Sequence, residues 1–237
     1  MCGRYVSPDE AAIERTWHIG RRNNAPLVRR FNVAPAAIVP VLALDRESGA
    51  LELATARWGL VPHWWKNARP PHFSFNARIE EVAEKPMWRD ALRCSRCLVP
   101  AEGWYEWREP DASVPSNAKS RRHKQPYFVR RRDRRLLAFA GLLSRWTNPQ
   151  TGELLLTCSI LTTAAKGALA AIHDRMPVVC PEAISSAWLD PAASGRAETR
   201  QLLATQNRVE QLECYAVSSR VNDARLDDSE LIAPLPA

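Results

Sequence analysis

Eighteen prolines are scattered along the 237 residues, and they restrict the fold more than any other feature. Each lacks a backbone N–H and pushes the residue before it out of the helical region, which breaks up long helices and regular strand–helix–strand units. Antiparallel strands joined by irregular loops tolerate such punctuation best. Strand-forming runs agree, at 38–44, 51–58, 97–100, 104–108, 127–131, 136–142, 154–163, 177–180 and 214–218. Short helical patterns fall between them near 86–94, 164–172, 181–189 and 197–204. A further helix is predicted over 7–17, with Ser7 as N-cap, Pro8 in the first helical position and Glu10 closing a capping box. No repeat or linker divides the sequence. The expectation is one α+β domain over 1–237, with a curled or barrel-like, mainly antiparallel sheet and peripheral short helices.

Hydrophobic residues make up 46% of the chain and charged residues 25%, the composition of a protein with a sizeable core. The longest apolar runs, such as 37–44 and 136–143, fall far short of the ~20 residues of a membrane-spanning helix. The first ten residues carry two acids and a proline, unlike a secretory signal. A soluble, cytoplasmic protein with no membrane partner is expected. The net charge of +7 suggests an anionic partner, but nine bases and one acid lie between Lys119 and Arg135. The rest of the chain carries 24 bases against 25 acids, so the excess belongs to one segment, about 111–135. It is either a solvated loop with a charged edge strand or a phosphate-attracting patch.

Six cysteines are too few for a disulfide scaffold. Cys158, Cys180 and Cys214 lie in apolar stretches and read as core residues. Cys94 and Cys97 form a CxxC, yet no second ligand pair completes a zinc site, so neither a metal nor another cofactor is expected. Cys2 differs. Removal of Met1 would give it a free α-amine, with pKa near ~8, beside a thiol near ~8.5. An aldehyde can engage both, first as a Schiff base and then as a thiazolidine when sulfur closes on the same carbon. The same residue could serve an amidohydrolase as nucleophile, or be merely a small terminal residue.

Glu106 sits among Trp104, Tyr105 and Trp107. On a strand it shares a face with Trp104, where apolar surroundings would raise its pKa and suit it to proton transfer; otherwise it is an exposed strand residue. His173 ends an apolar stretch and precedes Asp174, Arg175 and Pro177, as a proton donor, an oxyanion stabiliser or a helix-terminal histidine. Asn76 follows Phe73-Ser74-Phe75, between an aromatic strand and a possible helix, where its amide could hold a substrate or a terminal amine, or cap the helix. Trp64 and Trp65 are adjacent, so at least one should leave the core and offer a stacking face to a base.

In this order, these segments resemble the SOS response-associated peptidase (SRAP) family, whose members cross-link to abasic sites in single-stranded DNA. The resemblance rests on Cys2-Gly3-Arg4-Tyr5, Phe31-Asn32-Val33-Ala34-Pro35, Trp58-Gly59-Leu60-Val61-Pro62 with Trp64-Trp65, and Asn76-Ala77-Arg78. It continues through Gly103-Trp104-Tyr105-Glu106-Trp107, Ile172-His173-Asp174-Arg175-Met176-Pro177, Val217-Ser218 and Val221-Asn222. It implies that Cys2 captures the ring-opened sugar aldehyde, Glu106 moves protons, His173 protonates the sugar ring oxygen and Asn76 orients the Cys2 amine. It further implies that Arg4, Arg78 and Arg175 bind phosphates, that Pro35, Trp64, Trp65 and Trp107 wall the groove or stack on bases, and that Thr162 sits beside the reactive carbon. One monomer suffices for one lesion. The rival readings are an amidohydrolase or self-processing peptidase using Cys2, and a non-covalent single-strand binder. The segment from Asp111 exceeds the family pattern, and the Cys94/Cys97 pair matches none of its functional positions.

Overall fold

The computed structural model describes residues 2–19, 26–45, 47–110, 124–193 and 209–236. Met1, the predicted helix at 197–204 and the 111–123 part of the basic segment lie outside them. The described strands are β1 (Tyr5–Ser7), β2 (Arg30–Val33), β3 (Ile38–Leu44), β4 (Leu51–Trp58), β5 (Asn76–Arg78) and β6 (Arg96–Ala101), followed by β7 (Gly103–Arg108), β8 (Gln125–Arg131), β9 (Leu137–Thr147), β10 (Leu154–Ala164), β11 (Arg175–Pro177) and β12 (Leu212–Ala216). Three short helices flank them: α1 (Glu10–Trp17), α2 (Pro86–Cys94) and α3 (Glu182–Leu189). The fold is α+β with sheet predominant, as expected.

Five strands, β10, β4, β3, β6 and β9, close on themselves through the β9–β10 ladder to make a barrel. β10 is its long wall. Along it pair first β4, in parallel at Thr157 and Cys158, and then β5, in parallel at Ile160 to Thr162. Every other named pairing among the described residues is antiparallel. A second sheet, in the order β12-β8-β7-β1-β2, packs beside the barrel. Pro40, Pro100, Pro126 and Pro177 lie inside strands rather than in connections. An antiparallel strand offers each neighbour only alternate N–H groups, so an imino residue fits wherever the missing donor falls between bonds.

The barrel interior and the space against the second sheet form one apolar core containing Cys2, Tyr5, Trp58, Trp104, Phe139, Cys158 and Ile160. Edge-to-face pairs Tyr5–Trp58, at 5.4 Å between ring centroids, and Trp104–Phe139, at 5.8 Å, lock its centre. Gly103 is needed at the start of β7, because a Cβ there would lie 2.4 Å from the Val129 carbonyl oxygen. That close approach keeps β8 in unbroken register with β7 from Gly103 through Glu106.

Several local expectations change. Helix α1 begins at Glu10, not near Ser7: Ser7 closes β1, and the N-cap is Asp9, whose carboxylate accepts from Ala12 N at 2.7 Å. The capping box does not form, because the Glu10 carboxylate accepts instead from Leu27 N at 2.8 Å. The stretch read as a helix over 164–172 continues β10 to Ala164 and then makes only a 3-10 turn, Gly167–Ala171. His173 therefore follows a short turn and does not cap an α-helix. Phe73 to Phe75 is a turn, not a strand, and Asn76 opens β5 without capping a helix. Cys94 is exposed at the end of α2 whereas Cys97 is buried in β6, which divides the CxxC between two environments.

Candidate functional site

Strand β1 lies between β2 and β7, with Tyr5 opposite Trp104. Continuing that antiparallel register sets Gly3 opposite Glu106 and brings Cys2 to the core side of β7. Cys2 is fully buried. Its carbonyl accepts a 2.7 Å hydrogen bond from Asn76 Nδ2, and Asn76 is itself held by the pairing of β5 with Ile160. Asn76 Oδ1 is buried with no hydrogen-bond partner among the described residues. An unused acceptor thus lies on the same amide that fixes the Cys2 backbone. Burial pushes the Cys2 thiol well above its usual value, and the nearby Glu106 charge adds to the effect.

Glu106 points inward on the face of β7 shared with Trp104, at 3% exposure, so the solvent-exposed alternative does not apply. Burial raises its carboxyl to about 8, while the positive amino terminus pulls in the other direction. His173 Nε2 lies 3.9 Å from Glu106 Oε2. The other ring nitrogen, Nδ1, faces both the Arg175 backbone N–H and the Asp174 carboxylate, each at 2.9 Å. Those neighbours favour opposite ring states: the amide needs a lone pair on Nδ1, the carboxylate a proton. Burial lowers the His173 pKa and favours the neutral ring. In that form Nδ1 accepts from Arg175 and the proton resides on Nε2, facing Glu106.

Around this centre the structure distributes the other candidates unevenly. Thr162 is fully buried on β10, registered with Arg78 on β5 and with Pro177 on β11. Arg175 donates to the Thr162 carbonyl at 2.8 Å and forms a bidentate pair with Glu80 at 3.0 and 2.8 Å. Arg78 is freer, with its side chain 56% exposed and a single 3.3 Å contact to Glu81. Arg4 turns away from Cys2 toward Asn32 Oδ1 at 2.8 Å and the Val221 carbonyl at 2.9 Å. Trp64 and Trp65 lie on the loop joining β4 to Asn76, their centroids 6.1 Å apart. Trp64 is exposed, as the adjacent pair required, while the Trp65 indole donates to the Arg69 carbonyl. Half-buried Pro35 occupies the turn between β2 and β3.

Trp107, Arg108, Lys124, Ile172, His173 and Asp174 line a cavity of about 650 Å³ beside the reactive centre. A larger hollow, about 1080 Å³, is bounded by α1, α3 and the β8–β9 turn; it contains none of the candidate residues. The basic segment is thereby divided: Lys124 belongs to the cavity beside His173, whereas Arg131, Arg134 and Arg135 belong to the hollow at the far end of β8. A seven-residue strand separates those ends by roughly 20 Å. Sequence reasoning missed Glu80, the carboxylate that holds Arg175, and Phe73, 78% exposed on the Trp64 loop. The adjacent Pro70 and Pro71 are the signal that Phe73 belongs to a turn rather than a strand.

The sequence matches the model of the family described as SOS response associated peptidase (SRAP) over residues 1–224. The chain belongs to the SRAP family. Among SRAP relatives, the abasic site processing protein YoqW of Bacillus subtilis (strain 168) is 34% identical over 202 residues, covering 85% of this chain and 84% of its own. The abasic site processing protein HMCES of Pongo abelii is 30% identical over 241 residues, covering 86% of this chain and 65% of its own. The fold is shared with a crystal structure from Bacteroides thetaiotaomicron at a TM-score of 0.80 and 24% identity, over 99% of this chain and 100% of the other. A phage-related protein of Bordetella bronchiseptica superposes at a TM-score of 0.66 and 28% identity over all of both chains.

Proposed function

We propose that this SRAP protein captures abasic sites in single-stranded DNA by a covalent cross-link at Cys2, after loss of Met1. The observation that carries this reading is a chain of contacts that starts at Cys2: Asn76 clamps its carbonyl, the buried Glu106 carboxyl is near enough to act on its thiol, and the His173 imidazole lies 3.9 Å from that carboxyl. The names of the relatives support the substrate. His173 Nε2–H donates to the sugar ring oxygen and favours the open aldehyde. The Cys2 amine adds to the aldehyde carbon, with Asn76 Oδ1 accepting an N–H to set its direction. Protonated Glu106 gives its proton to the carbinolamine hydroxyl, which leaves as water and gives the iminium. The resulting carboxylate takes the thiol proton, sulfur adds to the same carbon, and the thiazolidine forms with Glu106 again protonated. Burial holds the proton on the Cys2 thiol, so sulfur becomes a nucleophile only when a base beside it takes that proton, and a carboxyl raised to about 8 is a stronger base than an ordinary carboxylate.

Single-stranded DNA carrying one abasic site should yield an adduct that survives denaturation; no adduct from protein lacking Met1 would overturn this function. A second expectation concerns affinity. Arg78, exposed and weakly paired, can exchange Glu81 for a phosphate without unmaking the core. Arg78→Ala should weaken binding to a non-reactive abasic analogue and lower the salt slope by about one. Equal slopes for variant and parent, measured by titration at several salt concentrations, would remove Arg78 from the phosphate contacts.

A further inference from the structure

Two sequence motifs acquire no role from the chemistry above: Phe31-Asn32-Val33 and Val221-Asn222. The fold brings them together. The backbone 217–226 crosses the outer face of the second sheet, with Val217 and Val221 fully buried against Val6, Tyr105 and Phe128. It is pinned to β2 by Asn32, 1% exposed, whose amide donates to the carbonyls of Asp223 at 3.0 Å and Leu226 at 2.9 Å. The Asp227 carboxylate accepts from the Asn32 backbone N–H at 3.1 Å and completes the anchorage. From this fixed backbone two groups reach back toward the DNA candidates. The Val221 carbonyl accepts from Arg4 at 2.9 Å, and Asn222 Oδ1 accepts from Trp107 Nε1 at 2.7 Å.

We propose that Asn222 is a positioning residue for the DNA site, its side-chain carbonyl fixing the Trp107 indole as a wall of the cavity beside His173. The inference rests on the function proposed above in taking Trp107 to face the bound strand. Trp107 is half-buried near the end of β7, its ring body against the cluster that holds Val6, Tyr105 and Val221, a contact that leaves the direction of its N–H to a polar partner. Its N–H is the only polar handle on the ring, and Asn222 grips it from backbone already held by Asn32. An indole held in one orientation offers a base a preformed stacking face, so less ordering entropy opposes binding. Asn222 acts through the Trp107 ring, and its effect falls on affinity rather than on bond formation.

The test uses Asn222→Leu, which keeps the size and removes the acceptor, Trp107→Phe, which keeps a stacking face and removes the donor, and the double variant. Asn222 is exposed, so the fold should tolerate its replacement. In ¹H–¹⁵N spectra the Trp107 indole signal, identified by its loss in Trp107→Phe, should shift and exchange faster with solvent in Asn222→Leu. Affinity for single-stranded DNA with a non-reactive abasic analogue should fall about fivefold in each single variant, the worth of one neutral hydrogen bond. The double variant should fall no further, and in Asn222→Leu the loss should appear in the DNA concentration needed for half-maximal adduct formation rather than in the rate at saturating DNA. Unchanged affinity in Asn222→Leu, or losses that multiply in the double variant, would overturn the role. Because affinity and the indole signal are read without any cross-link, failure of the adduct chemistry would appear separately, as absence of adduct from the parent protein.

Discussion

Cys2→Ala reduces the denaturation-resistant adduct with abasic single-stranded DNA to background. The expectation follows from counting bonds to the aldehyde carbon. With both amine and thiol present, that carbon ends with one bond to nitrogen and one to sulfur, closed in a five-membered ring. Alanine retains the α-amine, so an imine can still form, but water reverses it and nothing traps the product. The variant should also fold, because Cys2 contributes a small apolar side chain to the core and its carbonyl, which Asn76 holds, is unchanged. Losing one buried sulfur costs about 1 kcal/mol, well below typical domain stability. Borohydride reduction gives the second half of the test, since it should fix the imine of Cys2→Ala into an adduct that is absent without reductant. An adduct of parental stability without reductant would exclude the thiazolidine, and no trapped product would deny the amine its role.

The outline of this fold is legible in the sequence because proline punctuation and strand periodicity are local properties. Nine strand-forming runs overlap β3, β4 and β6 to β12, although β9 continues five residues past its run and β11 shares only Pro177 with its own, and 86–94 coincides with α2. The strands that escape are those whose identity is conferred by neighbours. β1, β2 and β5 are three or four residues long, too short for a period, and exist because β7 presents an edge to β1, β1 in turn to β2, and β10 to β5. Ala164 has helical propensity but stays in β10 because the Arg175 ladder continues that far. Chemical identity was local as well: a terminal Cys, a carboxyl among aromatics, and a His beside Asp and Arg. What the chain order hides is pairing. Nothing near Arg175 in sequence names Glu80 as its partner, and 115 positions separate Trp107 from Asn222. Such contacts are decided by how the sheets register.

Glu106→Gln separates stability from chemistry in opposite directions. In the folded protein the carboxyl is raised from 4.5 to about 8 by burial, so the native state holds a proton there that the unfolded chain has released. Between those two values the native state binds more protons than the unfolded one, and stability falls as pH rises through that window. Glutamine is neutral throughout. The variant and parent should therefore unfold at similar urea concentrations near pH 4, and the variant should be the more stable near pH 9, by on the order of a few kcal/mol. Its reaction should move the other way. Without a proton to deliver to the carbinolamine hydroxyl, or a base for the buried thiol, adduct formation at pH 7 should slow by about 10²-fold or more, while affinity for a non-reactive abasic analogue stays near parental. The parental rate should itself decline above pH 8, as Glu106 loses its proton, and that decline should vanish in Glu106→Gln. Equal rates for variant and parent would remove Glu106 from the proton path. A stability gain independent of pH would mean that the carboxyl is ionised in the folded protein, and the donor would then have to be sought at His173.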